Sequence, residues 1–295
     1  MNGILLLNKP KKMTSHDCVN QVRKIFHTKK VGHLGTLDPN VTGVLPLCIN
    51  DATKIIQFLD KSNKEYIAEV TIGYSTTSED SSGEIVEKND DLKSISREQL
   101  LDVLNSFLGK QIQIPPMISS VKVNGKKLYE YARQNIEVER PKRTIEVYDI
   151  ELLSQEDNFT GKEVSFNVRI HCSKGTYIRT LAVDIGKKLG YPSHMSDLIR
   201  IKSGNFHLNQ CYSFDEIKSG NYELISIYDA LKSYHMVEVD DILRKKITHG
   251  QKLTYEIKQF TTIVFCDIFK QVLAVYERDA KDPHMIRPVR VLIGE

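Results

Sequence analysis

Apolar residues open the chain as an unbroken run, "GILLL" (3–7), the pattern of a strand buried on both faces. The next segment, "SHDCVNQVRKIF" (15–26), sets Val19, Val22, Ile25 and Phe26 at helical spacing, with Ser15 as the expected cap. "KEYIAEVTIGY" alternates like a half-buried strand. "SREQLLDVLNSFLGK" has the strongest helix signal: Ser96 for the cap, Gln99 three residues later to return a bond to it, and Gly109 as the expected stop. "TIEVYDIELL" and "EVSFNVRIHC" read as two antiparallel strands joined by the polar "SQEDNFTGK", and "GTYIRTLAVDIGKKLG" begins as a turn and continues as a helix to Gly190. Strands and helices that mix without a βαβ rhythm predict an α+β fold built on a largely antiparallel sheet. After "YHMVEVDD" only short strand-like pieces follow ("TTIVFCDI", "QVLAVYE", "IRPVRVLI"), which predicts a catalytic-sized domain over 1–234 and a small β-rich domain over 235–295.

One stretch fits neither period. "GHLGTLDPNVTGVLPL" (32–47) holds three glycines, two prolines and a single carboxylate, Asp38, and reads as a loop that fixes an acid in place. Charge adds little on average, since 41 Lys and Arg stand against 38 Asp and Glu, a net +3. Its distribution says more: acids gather in "SEDSSGEIVEKNDD", whereas "KVNGKKLYEYARQ" and "ERPKRT" form a basic middle segment able to follow phosphates. The five cysteines are scattered, with no Cys-x-x-Cys pair, which fits a reducing cytoplasm; no run of apolar residues has the length of a signal-peptide core or a membrane span.

The usual cofactor loops and metal-ligand spacings are absent from the sequence, so neither a nucleotide cofactor nor a metal is expected. What remains is Asp38 in its rigid loop, tyrosines in strand-like surroundings (Tyr66, Tyr177), Arg179 two residues after Tyr177, and the basic segment. Each has an ordinary explanation by itself: Asp before Pro in a turn, half-buried tyrosines, a surface arginine. A lone acid also argues against hydrolysis, which calls for a second acid or base.

Together the segments resemble one family. "GHLGTLDPNVTGVLPL" is similar to the "GH-x-G-x-LDP-x-x-TG-x-LP" segment of the TruB family, pseudouridine synthases acting on the T arm of tRNA. "GILLLNKPKKMTS", "KEYIAEVTIGYSTTSEDSSGEI", "IPPMISSVKVNGKKLYEYARQ" and "IHCSKGTYIRTLAVDIGKKLG" resemble further segments of that family in the same order, across most of the first 205 residues. The resemblance implies a pseudouridine synthase fold, Asp38 as the catalytic aspartate, and Arg179 as its partner, favouring the charged carboxylate and aiming it through paired hydrogen bonds. It further implies Tyr66 against the target base, Tyr177 and Leu198 lining the uracil pocket, His33 on the RNA beside the displaced base, and Lys9 and Pro10 supporting the catalytic loop. No cofactor is implied, the partner is the tRNA T-arm stem-loop, and the enzyme is expected to be a cytoplasmic monomer. Beyond about residue 215 no motif matches residue by residue, so a PUA-type RNA-binding end rests on position and β-rich pattern. A non-catalytic RNA-binding protein or a base-acting hydrolase are the rival classes; the acid argues against the first and the want of a second acid against the second.

Overall fold

The computed structural model describes residues 1–60, 62–255 and 261–293. Among them, the largest sheet has nine strands. Across it run Gly3–Lys9, Thr42–Ile49, Ser193–Ser203, Lys64–Ile72, Val164–Cys172, Arg143–Leu152 and Gly109–Gln113 in that spatial order, with Val31–His33 and Phe206–His207 paired alongside. Neighbours are antiparallel except where Ser193–Ser203 meets Thr42–Ile49, in parallel register at Ile199↔Thr42 and Arg200↔Gly43.

The two-residue period decides which side of each strand is covered. Leu5 and Leu7, with Tyr66, Ala68 and Val70 and with Phe166, Val168 and Ile170, face a core closed by helices Ser15–Ile25, Arg97–Asn105 and Ile178–Leu189. Ile4, Leu6, Val44 and Cys48 point the other way, into a second cluster. Strands covered on both faces read as continuous apolar runs, which is why "GILLL" does not alternate.

Four local expectations change. Thr14, not Ser15, caps the first helix, in a reciprocal capping box with Asp17; the Ser15 hydroxyl is committed elsewhere. The helix starting at Ser96 keeps its capping box with Gln99 but ends at Asn105, and Gly109, at φ +87°, opens the next strand. The linker between the two strands is itself structured, Asn158–Gly161 pairing with Lys93–Ser96. The stretch 32–47 is strand at both ends, with the loop confined to 34–41; glycines and prolines hide the strands because Gly43 and Pro46 sit inside Thr42–Ile49.

A separate five-stranded sheet follows, in the order His235–Glu238, Thr262–Cys266, Val272–Arg278, Met285–Val291, Leu253–Thr254, crossed by helix Asp241–Thr248. It has its own core around Ile247, Phe265, Leu273, Tyr276 and Ile286. It also shares one with the large sheet: Val264, Val272, Val275 and Leu292 pack in the cluster of Ile4, Leu6 and Val44. Lys54 Nζ donates to Leu292 O (2.5 Å) across that seam, and just before the second sheet Tyr234 Oη donates to Phe58 O (2.7 Å). Among the described residues no helix is long and apolar enough to cross a membrane.

Candidate active site

Asp38 starts a tight turn, closed by Val41 N donating to Asp38 O (3.1 Å), with Pro39 in the position where its fixed φ suits a turn. Three buried side chains fasten the loop from below. Lys9 Nζ donates to Pro39 O (3.0 Å), Met13 O (2.5 Å) and Pro10 O (2.9 Å). Ser15 Oγ accepts from Leu37 N (2.8 Å) and donates to Leu37 O (3.1 Å). Arg200 donates to Val44 O (2.8 Å), Gly35 O (3.2 Å) and Thr36 O (3.5 Å). The acid is thus held by backbone carbonyls satisfied from three distant elements.

The carboxylate meets Arg179, the second residue of helix Ile178–Leu189, with Nε 3.0 Å from Asp38 Oδ2. This is a single contact. The fork expected on the carboxylate is used otherwise, Nη1 donating to Ser78 O (2.9 Å) and Nη2 to Ile118 O (2.9 Å). Because the chain after Ser78 and the chain at Ile118 close over the guanidinium, only its Nε edge remains for Asp38. A second acid, invisible as a neighbour in the sequence, stands on the other side: Asp80 Oδ2 lies 4.0 Å from Arg179 Nη1, while Asp80 Oδ1 accepts from Ser78 Oγ (2.7 Å) and Ser82 N (2.9 Å). Asp38 is therefore not alone, although Asp80 is occupied by its own turn.

Burial in the cleft, with Asp80 adding to it, raises the Asp38 pKa above the ordinary aspartate value; Arg179 and then Lys9 pull against that shift. The side chain keeps 40% of its surface open, so solvent moderates the effect. The arginine's role is to offset the cost of burying the charge.

Asp38 lies in a cleft of about 880 Å³. Tyr66, Tyr177, Leu198, Val41 and Ile178 supply its apolar walls, and Arg179 lies beside the acid. Tyr66 is buried on Lys64–Ile72, directly opposite Arg200 in the sheet register. Tyr177 precedes the helix, its backbone clamped by Gln113, which accepts from Tyr177 N (2.8 Å) and donates to Tyr177 O (2.9 Å). The fold so gathers Asp38, Arg179, Tyr66, Tyr177 and Leu198 from four elements. His33 is not in this group: it ends Val31–His33 outside the cleft lining, and burial, helped by Arg200, lowers its pKa. From the basic middle segment Tyr129 and Arg133 reach the cleft, Arg133 lying over the Tyr129 ring at 5.3 Å.

Lining residues that sequence reasoning missed are Lys64, Arg200, Asp60 and Lys174. For two of them a signal existed. Lys64 lies two residues before Tyr66 and Arg200 two after Leu198, so each shares a strand face with a residue already singled out.

Comparison with known proteins bears on this arrangement. The family model of the TruB pseudouridylate synthase N-terminal domain matches residues 23–178, and that of the tRNA pseudouridylate synthase B C-terminal domain matches 179–233. The chain belongs to the TruB family. Among TruB relatives, tRNA pseudouridine synthase B of Bacillus cytotoxicus is 51% identical over 301 residues, covering 100% of this chain and 98% of that protein. The Bacillus subtilis protein of the same name is 49% identical over 305 residues, covering 99% and 98%. Of solved structures, a chain in the crystal structure of a Cbf5–Nop10–Gar1 complex superposes with a TM-score of 0.73 at 25% identity, over 99% of this chain and 85% of the other. The TruB fold thus extends through the small C-terminal sheet, well past the residues that carried the resemblance in sequence. As a TruB-family member the chain is a pseudouridine synthase, an isomerase.

Proposed function

We propose that this chain converts one uridine in the T arm of tRNA, at position 55, to pseudouridine, with Asp38 as the catalytic carboxylate. The observation that carries the reading is Asp38 Oδ2 at 3.0 Å from the buried Arg179 Nε, inside a cleft walled by Tyr66, Tyr177 and Leu198. The reaction breaks the bond between ribose C1′ and uracil N1, turns the base and joins C1′ to C5; the proton leaves C5 and N1 gains one. Atoms and oxidation level are conserved, so the chemistry asks for a nucleophile, a held base and excluded water, not for a redox partner. A carboxylate fixed by its loop serves attack at either the sugar or the base.

A uracil inside a stem-loop is reached only by turning the nucleotide out of the stack. The Tyr66 ring and the Leu198 and Tyr177 side chains replace stacking worth about 1–3 kcal/mol per base. His33 contacts the RNA beside the displaced base from outside the cleft lining, and Lys122, Lys126 and Lys127 hold phosphates. Residues 235–295 act as a PUA-like RNA-binding domain, supported by a β-rich sheet with its own core. Four of the five cysteines are buried and none is paired, which fits work in a reducing cytoplasm.

The test is direct. Unmodified tRNA transcript incubated with the protein, without added cofactor, should acquire pseudouridine at that T-arm position, and Asp38→Asn should bind the transcript and leave it unmodified. A transcript without new T-arm pseudouridine would refute the reading.

A further inference from the structure

Five cationic side chains line the cleft against two carboxylates, and the two acids are engaged by Arg179 and Lys174. Two buried cations, Lys64 and Arg200, are left without a carboxylate within ion-pair distance among the described residues. Burying charge without a counter-charge is costly, so the arrangement calls for an anion from outside.

Other buried lysines show the contrast. Lys9 and Lys93 each donate to three backbone carbonyls, one for every N–H, and neither lines the cleft. Lys64 Nζ has both its acceptors on one residue, Ser62 O (3.0 Å) and Ser62 Oγ (2.9 Å), and it does line the cleft. Its third donor is thus available on the open side.

The cations converge on Gly35. Gly35 takes a left-handed backbone, φ +80°, and a Cβ built there would lie 3.4 Å from Arg200 Nη1, 3.7 Å from Lys64 Cε and 4.0 Å from Asp60 Oδ1, which places these three groups around one point of the cleft wall. Lys174, on the loop after Val164–Cys172, already reaches an anion at this edge, since its ammonium is paired with Asp60 Oδ2. Lys64 is two residues from Tyr66 on one strand face, about 6.6 Å along the strand. A base lying on Tyr66 therefore brings a phosphate of its own nucleotide within reach of the recess.

We propose that Lys64, Lys174 and Arg200 form, at Gly35, the seat for a backbone phosphate flanking the flipped uridine. Resting on the function proposed above, this makes the seat a positioning device: anchoring the phosphate fixes the ribose against Asp38. It also accounts for the Lys64 ammonium, which is buried at the cleft with only one residue, Ser62, to accept from it.

The experiment uses T-arm stem-loop RNA with a single neutral methylphosphonate at the linkage on the 5′ or the 3′ side of the target uridine. For the wild-type protein one of the two linkages should lower kcat/KM at least tenfold. In Lys174→Met, an exposed change expected to fold, native RNA should be turned over more slowly and the methylphosphonate penalty should shrink toward none. Lys64→Met should behave alike. A penalty of equal size in wild type and in Lys174→Met overturns the seat while leaving the proposed function standing, as does a wild type indifferent to both linkages. A wild type that fails to modify native T-arm RNA brings down the proposed function itself.

Discussion

Arg179 and Asp38 show how a single side chain can be read correctly as to type and incorrectly as to geometry. Their pairing stands 3.0 Å apart, but the guanidinium fork belongs to Ser78 and Ile118. Arg179→Lys should then cut the single-turnover rate by at least about tenfold, a barrier change of about 1.4 kcal/mol, with tRNA affinity little changed. An unchanged rate would mean that the arginine only ties two loops together. Asp38 itself has a raised pKa, from burial first, so its carboxylate is lost at a higher pH than an ordinary aspartate near 3.9. The acid limb of kcat/KM should accordingly lie above that value; a limb at the ordinary value would contradict the buried setting. On the alkaline side Lys64 matters: burial, then Arg200, pushes its pKa down to about 8, so its charge disappears as pH rises through that value. We expect kcat/KM to fall above about pH 8 in the wild type. In Lys64→Arg the fall should move to higher pH, and a limb that stays in place would assign it to another group. Asp38 was legible because an Asp-Pro turn among glycines is visible in one stretch, whereas Asp80 and Asp60 join the site only through tertiary closure.

Elements were easier to read than their ends and neighbours. The capping box of Ser96 and Gln99 and the left-handed Gly190 are local devices, encoded within a few residues, and both stand in the structure. Strand order is not local. That Ser193–Ser203 lies between Thr42–Ile49 and Lys64–Ile72, parallel to one and antiparallel to the other, follows from packing across more than a hundred residues. The parallel contact depends on Gly43, at φ +106°, where a Cβ would meet Arg200 O at 2.2 Å. Gly43→Ala should cost more than about 2 kcal/mol in urea unfolding, from strain plus displacement of the strand. Activity should fall too, because Arg200 carries the loop carbonyls. A variant as stable as the wild type would show that the two strands separate freely at this point.

At the scale of the whole molecule the two sheets are not beads on a linker. The second sheet starts at His235, yet Val264, Val272, Val275 and Leu292 complete a core begun by Ile4 and Leu6. Deleting 235–295 should therefore lower the thermal midpoint and expose apolar surface to a hydrophobic dye as well as weaken tRNA binding. Unchanged melting would mean that the shared core contributes nothing. Affinity for tRNA should also decline steeply between low and physiological salt, since lysines and arginines that displace counterions dominate such a grip. The mean charge of the sequence could not show this, because nearly equal numbers of acids and bases cancel in it.

Arg200 bonds to carbonyls 164 and 165 positions earlier in the chain. A polypeptide emerging from the ribosome passes Asp38 early and waits for most of its length before that guanidinium arrives. Until residue 200 has folded back, the carbonyls of Gly35 and Thr36 lack their donor, and the acid is held by Lys9, Ser15 and, once it is made, Arg179. Contacts of such separation form slowly, after loop closure has been overcome. The loop that carries the acid consequently cannot be fully fastened until more than two thirds of the chain has been made.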